Sequence, residues 1–153
     1  MTAAHTPQGS RVLDADDISR VISRISHEIL EHAQGAHDLT VLGIQTRGVP
    51  LAQRIAARMA EIEGVAVPVG SLDITMYRDD LSLRGARPLH ATDVPVEGVD
   101  GRLVVLVDDV LYSGRTVRAA LDGFVNDGNC TGGVEVVIES RTDFVEHGLT
   151  PFA

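Results

Sequence analysis

The fold is decided by residues 104–116, which read VVLVDDVLYSGRT. An uninterrupted apolar run ends in two carboxylates, and a turn of small and polar residues then opens the next helix. A continuous apolar strand of this kind is typical of a parallel sheet covered on both faces. The stretch therefore predicts a strand, a loop and a helix in the order found in α/β folds.

Further strands and helices are predicted along the rest of the chain. The predicted elements are a helix that follows Asp14 and ends before Gly35, a strand at 40–44, a helix from Pro50 to Gly64, a strand at 65–72, a strand at 102–107, a helix at 115–124 and a strand at 134–138. Pro68 is unfavourable within its strand. We expect one α/β domain over residues 1–153, with ligands bound beyond the carboxyl ends of the strands, at loops 45–49 and 108–114.

Composition limits the function classes. The chain has 153 residues and a net charge of −9, which argues against coating nucleic acid by bulk attraction. Residues 1–60 hold six arginines and six acids, so the negative charge lies in residues 61–153. Cys130 is the single cysteine, and no apolar run is long enough for a membrane span, so we expect a soluble, cytoplasmic protein. The histidines show no metal-ligand spacing, so zinc is not expected.

The loop after residue 107 combines groups that suit a phosphorylated sugar. Backbone N–H groups of residues 112–116 can converge on a phosphate at a helix N-terminus, and Ser113 and Thr116 add hydroxyls. Asp108 and Asp109 can accept hydrogen bonds from ribose hydroxyls or help to hold magnesium. The alternative is a capped helix after a strand, with the acids acting only on the helix dipole.

Residues 104–116 closely resemble the signature of the type I phosphoribosyltransferases, which bind 5-phosphoribosyl-1-diphosphate (PRPP). Residues 43–49, GIQTRGV, resemble the diphosphate loop of that family, and residues 72–81, LDITMYRDDL, the start of its mobile loop. With residues 23–29, SRISHEI, these segments are similar to the PyrR family. Its members are uracil phosphoribosyltransferases that also regulate pyrimidine operons by binding the messenger RNA leader. The resemblance covers about residues 11 to 128 and implies a type I phosphoribosyltransferase fold with a shortened C-terminal part.

The resemblance implies a role for each matching residue. Asp108 and Asp109 would bind the ribose hydroxyls and act in catalysis, residues 112–116 would bind the 5-phosphate, and residues 46–48 would bind the diphosphate in a loop that often holds a cis peptide. The implied PRPP-binding residues are Thr46, Arg47, Gly48, Asp108, Asp109, Val110, Leu111, Tyr112, Ser113, Gly114, Arg115 and Thr116. Mg²⁺ is the implied cofactor, held through PRPP rather than by a direct protein site. The alternative for Arg47 is a surface arginine after a strand.

The segment between Asp73 and Gly101 has little periodicity and exceeds the roughly 12–15 residues of an ordinary loop, which is typical of a lid. A lid would exclude water from an oxocarbenium-like transition state. The candidates to close over PRPP are Tyr77, Arg78, Asp79 and Asp80, with Arg78 also placed in catalysis. The alternative is a solvated charged hairpin.

The first helix carries a row of basic side chains. Arg20, Arg24 and His27 are spaced at i, i+4 and i+7, and an RNA backbone could contact this face. They lie away from the isoleucine stripe of the same helix, which consists of Ile18, Ile22, Ile25 and Ile29. The alternative is that Arg24 pairs with Glu28, and Arg20 with an acid at 16 or 17.

After Gly128 the sequence departs from the family pattern, and residues 129–153 lack its Asp-Arg-Gly-His-Arg-Glu-Leu-Pro run. Because that run builds much of the family's base pocket, we expect PRPP binding to be retained better than uracil transfer. The transfer activity is expected to be weak or lost. The implied partners are PRPP, uracil and uridine nucleotides, the leader RNA of a pyrimidine operon, and further copies of the chain in a dimer or larger homo-oligomer. Two alternatives stay open: a non-catalytic RNA-binding regulator that senses nucleotides, and an inactive, truncated protein with this fold.

Overall fold

The computed structural model describes residues 13–74, 92–110, 114–126 and 136–137. Helices and strands alternate along these residues, as predicted, except that the strands at Val69–Leu72 and Leu103–Val107 are successive described elements. The elements are α1 (Ala15–Ala33), β1 (Leu39–Ile44), α2 (Gly48–Glu63), β2 (Val69–Leu72), β3 (Leu103–Val107), α3 (Arg115–Asn126) and β4 (Val136–Val137).

The strands form one parallel sheet in the order β2-β1-β3-β4. β1 is central and completely buried, and it pairs with β2 from Val41↔Val69 and with β3 from Leu39↔Leu103. Since all strands run in the same direction, β1 and β3 deliver their carboxyl ends to the same edge. The predicted α/β class is confirmed.

Two apolar layers hold helices against opposite faces of the sheet. On one face, Leu39, Val41, Val105 and Val107 pack against the apolar residues of α1 and α2. On the other face, alternate residues of the same strands pack in a cluster that includes two alanines of α3: Leu42, Ile44, Val104 and Leu106 with Ala119 and Ala120. Period-two alternation in the central strands thus feeds both layers, which explains why the strands read as continuous apolar runs.

A capping box fixes the start of α1. The Asp17 backbone N–H donates to Asp14 at 2.8 Å, and the Asp14 N–H donates back to Asp17 at 3.1 Å. The hydrogen bond with the Asp14 backbone, followed by that with the Arg20 side chain, holds the pKa of Asp17 below its usual value of 3.8. Further along α1, buried Ser26 donates to the Ile22 carbonyl at 2.8 Å and lies 3.5 Å from the Ile55 carbonyl of α2.

Among the helices and β1 to β3, two predicted starts differ from the structure by two residues or more. α2 begins at Gly48 rather than at Pro50, which still lies in the first turn, where a missing N–H costs nothing. β2 begins at Val69 rather than at 65, directly after Pro68, whose carbonyl accepts from the Val41 N–H at 2.9 Å. Pro68 accepts this bond but has no N–H to donate, so the strand ladder starts at the next residue.

Candidate functional site

The site lies where β1 and β3 end side by side. The loop after β1 contains a cis peptide between Gln45 and Thr46, as the resemblance implied. The Gln45 N–H donates to the Leu72 carbonyl at the end of β2, at 3.0 Å, which ties this loop to the third strand of the same edge.

Two glycines allow close backbone packing at this edge. A Cβ atom on Gly48 would lie 2.2 Å from the Val107 carbonyl oxygen, and one on Gly43 would lie 2.5 Å from Cα of Val49. Neither distance is possible for a real side chain, so the start of α2 packs directly on the ends of β1 and β3. Gly48 therefore allows a close backbone approach, and its neighbour in the structure is the end of β3.

One ion pair crosses between the loops. Nη1 of Arg47 lies 3.4 Å from Oδ2 of Asp109, and the Arg47 side chain is 83% exposed. Asp109 also donates its backbone N–H to Oδ1 of Asp108 at 2.8 Å. A cation of one loop and the carboxylate pair of the other thus share one solvent-facing position, where a ligand with both phosphates and hydroxyls could contact both.

Both helix N-termini at this edge favour an anion. The first turns of α2 and α3 contain no acidic residue, and the N-cap of α2, Arg47, makes no side-chain capping bond. Gly114 precedes α3 with φ +71°, a left-handed conformation that glycine adopts without strain, and its carbonyl accepts from the Arg118 N–H. Thr116 is half-buried in the first turn of α3, while Arg115 and Val110 are exposed.

The described residues also line an apolar cavity of about 310 Å³ that borders the carboxylate pair. Asp108 and Asp109 belong to its lining, and the remaining lining residues are aliphatic side chains of α1, α2, β3 and Leu13. The isoleucine stripe of α1 signalled a core face, but the sequence did not indicate that this face would border the acidic pair.

Several predicted residues lie outside the described ranges. These are Leu111, Tyr112 and Ser113 of the phosphate turn and Tyr77, Arg78, Asp79 and Asp80 of the lid. In the described ranges, no three or more histidine, cysteine or acidic side chains gather as a metal site. Within those ranges, too, no helix is long and apolar enough to cross a membrane.

The predicted RNA face of α1 is solvent-exposed at all three positions. Arg20 pairs with Asp17, and Nε of Arg24 lies 3.5 Å from Glu28, so the ion pairs of the alternative interpretation form. The Arg20 side chain nevertheless stays 73% exposed and that of Arg24 42%. Sequence reasoning missed Arg54 and Arg58 of α2, which line a groove together with Arg20.

Comparison with known proteins decides the family. The profile of the phosphoribosyl transferase domain matches residues 8–142. A Roseiflexus protein named bifunctional protein PyrR is 60% identical over 119 residues, which cover 77% of this chain and 64% of that protein. A Deinococcus radiodurans protein of the same name is 51% identical over 128 residues, which cover 83% and 69%. The chain belongs to the PyrR family of phosphoribosyltransferases.

The fold comparison agrees with this membership. A hypoxanthine phosphoribosyltransferase of Staphylococcus aureus superposes with a TM-score of 0.59 at 15% identity, covering 90% of this chain and 70% of that one. The predicted type I phosphoribosyltransferase fold and the sequence resemblance to the PyrR family are both confirmed. The chain spans 60–69% of the length of the PyrR relatives it matches.

Proposed function

We propose that this chain binds PRPP at the edge formed by loops 45–48 and 108–116, transfers its phosphoribosyl group to uracil, and regulates pyrimidine operons by binding their leader RNA. The contact between Arg47 and Asp109 carries the proposal. It brings an anion-binding group and a hydroxyl-binding group from separate loops to one position, and PRPP presents diphosphate and ribose hydroxyls on adjacent carbon atoms.

The parts of PRPP are assigned to the chain by their chemistry. Asp108 and Asp109 accept hydrogen bonds from the two ribose hydroxyls, because carboxylates are acceptors and repel phosphate. The turn that leads into α3 binds the 5-phosphate through backbone N–H groups and the Thr116 hydroxyl. The first turn of α2 and the Arg47 guanidinium bind the diphosphate. When PRPP binds, the Arg47 guanidinium leaves the Asp109 carboxylate and pairs with the diphosphate, which carries more negative charge.

Magnesium fits the donors at this edge. Asp108 and Asp109 are oxygen donors of the kind that Mg²⁺ prefers, but the described ranges supply no third protein ligand beside them, so the ion would be held mainly through bound PRPP. The remaining ligands would come from the hydroxyls and diphosphate of PRPP and from water. Bound there, the ion would neutralise charge on the departing diphosphate.

The proposed transfer forms one bond and breaks one. N1 of uracil bonds to C1 of the ribose as the bond between C1 and the diphosphate oxygen breaks, and the N1 proton is lost to solvent. Arg47 and the N-terminus of α2 stabilise negative charge on the leaving group. Residues 77–80 are proposed to close over this position and exclude water, with Arg78 adding positive charge near the diphosphate.

The regulatory half of the proposal rests on the exposed basic residues of α1 and on the name of the relatives, which calls them bifunctional. A location in the cytoplasm accompanies it, since PRPP and messenger RNA are found there.

One experiment separates the proposal from its alternatives. Purified chain is incubated with uracil, PRPP and Mg²⁺, uridine monophosphate is followed by chromatography, and PRPP binding is measured in parallel by calorimetry. We expect PRPP to bind and product to form, and excess EDTA to abolish both. Binding of PRPP without product would favour the non-catalytic nucleotide sensor. Absence of both would overturn the proposal and favour an inactive protein.

A further inference from the structure

A polar groove lies between α1 and α2. It has a volume of about 520 Å³, and its lining includes Ser19, Arg20 and Ser23 of α1 and Arg54, Arg58 and Glu61 of α2. Three of the lining residues are arginines and one is acidic, in a chain whose net charge is −9. The groove thus concentrates positive charge on an acidic protein.

The three arginines differ in how far they are neutralised. Arg20 pairs with Asp17, and Nη1 of Arg58 lies 2.8 Å from Glu61. Nε of Arg58 also donates to Ser23 Oγ at 3.2 Å, which fixes this guanidinium between the helices. Arg54 is exposed and makes no ion pair with any residue that the structure describes. It leaves the groove with an uncompensated positive charge.

The donors around Arg54 suit a phosphodiester. Arg54 and Arg58 are four residues apart and so lie on one face of α2. The Ser23 hydroxyl accepts from Arg58, which leaves its own hydrogen to donate, and Ser19 lies one turn before it on α1. A guanidinium with flanking hydroxyls is a common set of donors to nucleic-acid phosphates.

We propose that this groove binds the backbone of single-stranded RNA and that Arg54 contacts a phosphate there. The inference rests on the RNA binding in the proposed function. It extends the RNA-binding surface from α1 alone to α1 and α2. Arg20 belongs both to the α1 row and to the groove, so a strand lying on Arg24 and His27 continues across Arg20 towards Arg54. Arg54 lies seven residues, or about 10 Å along the helix, from Arg47, so the groove is separate from the PRPP edge.

The test compares Arg54→Gln with Arg118→Gln, a matched loss of charge on α3, where the side chain is 84% exposed. Binding of a fluorescein-labelled pyrimidine-operon leader RNA is followed by anisotropy over a series of salt concentrations. Arg54→Gln is expected to weaken binding about tenfold at low salt, which corresponds to about 1.4 kcal/mol. It should also reduce the slope of log K against log salt by about 0.7, the value for one single-strand phosphate. Arg118→Gln should change neither.

Each other outcome has a distinct meaning. Equal affinity and slope in the two variants, with the parent still binding RNA, would overturn the groove and leave the α1 face. A change in sedimentation with Arg54→Gln and no change in RNA affinity would overturn it in favour of contact between copies of the chain. If the parent binds PRPP but no RNA, the regulatory half of the proposed function fails and the groove proposal fails with it. Melting temperatures of both variants confirm that they are folded.

Discussion

Replacing Gly48 by alanine tests whether the two loops must touch for PRPP to bind. The added Cβ would lie 2.2 Å from the Val107 carbonyl oxygen and 3.2 Å from Cα of Asp108. The start of α2 and the end of β3 must separate by about 0.8 Å before this contact reaches even 3.0 Å. Overpacking of this kind costs about 1–3 kcal/mol of unfolding free energy. Since the separation moves Arg47 relative to Asp109, we expect PRPP affinity to fall about 10- to 100-fold.

Gly64→Ala is the matched control. Gly64 ends α2 with φ +72°, and a Cβ atom there would have no neighbouring atom within 4 Å, so alanine strains the backbone and touches nothing. It should cost about 1–2 kcal/mol and leave PRPP affinity unchanged. Urea denaturation measures stability, and calorimetry with PRPP and Mg²⁺ measures affinity. If Gly48→Ala bound PRPP as tightly as Gly64→Ala does, the contact between the loops would not position the ligand.

Three further predictions address the acidic pair, the first helix and the RNA face. The double variant Asp109→Ala/Thr116→Ala removes one ribose contact and one phosphate contact. Each contact is worth roughly 1 kcal/mol, so PRPP binding should weaken more than tenfold. A calorimetric affinity within twofold of the parent would show that the site is elsewhere. Folding lowers the pKa of Asp17, so the stability that the Asp17 carboxylate contributes is complete above its usual pKa of 3.8 and is lost as pH falls through the folded value. The urea midpoint should therefore fall less steeply with decreasing pH for Asp17→Asn than for the parent. Arg20→Gln/Arg24→Gln should weaken leader RNA binding and reduce its salt slope by about 0.7 for each phosphate that is no longer neutralised, and an unchanged slope would rule out this face.

Local patterns predicted the elements well because their signals lie within a few residues. Asp14 marked the start of α1, and its capping box with Asp17 confirms this. The start of β2 was placed too early because its apolar residues continue through Pro68, and only the missing donor ends the pairing. Helix α2 starts two residues before Pro50, at Gly48, which packs on the end of β3, and no local pattern shows that contact.

The site depended on contacts that no local pattern contains. The strand, loop and helix pattern selected both loops and the family resemblance supported them, but the contact between Arg47 and Asp109 joins residues 62 positions apart in the sequence. The groove was missed for the same reason, since Arg58 and Ser23 meet only after α1 packs on α2. Isolated arginines on a helix are ordinary surface residues until a second helix places others beside them.

The strand order has a consequence for how the chain is made. β1 is the first strand of the described sheet to leave the ribosome, yet it lies between β2 and β3. Its pairing with β3 joins Leu39 to Leu103, so one side of a completely buried strand has no partner until the chain has been synthesised beyond that point. Such non-local pairing slows folding and exposes unpaired strand edges to other chains. Nascent chains that end between β2 and β3 should therefore be the ones that most need a chaperone.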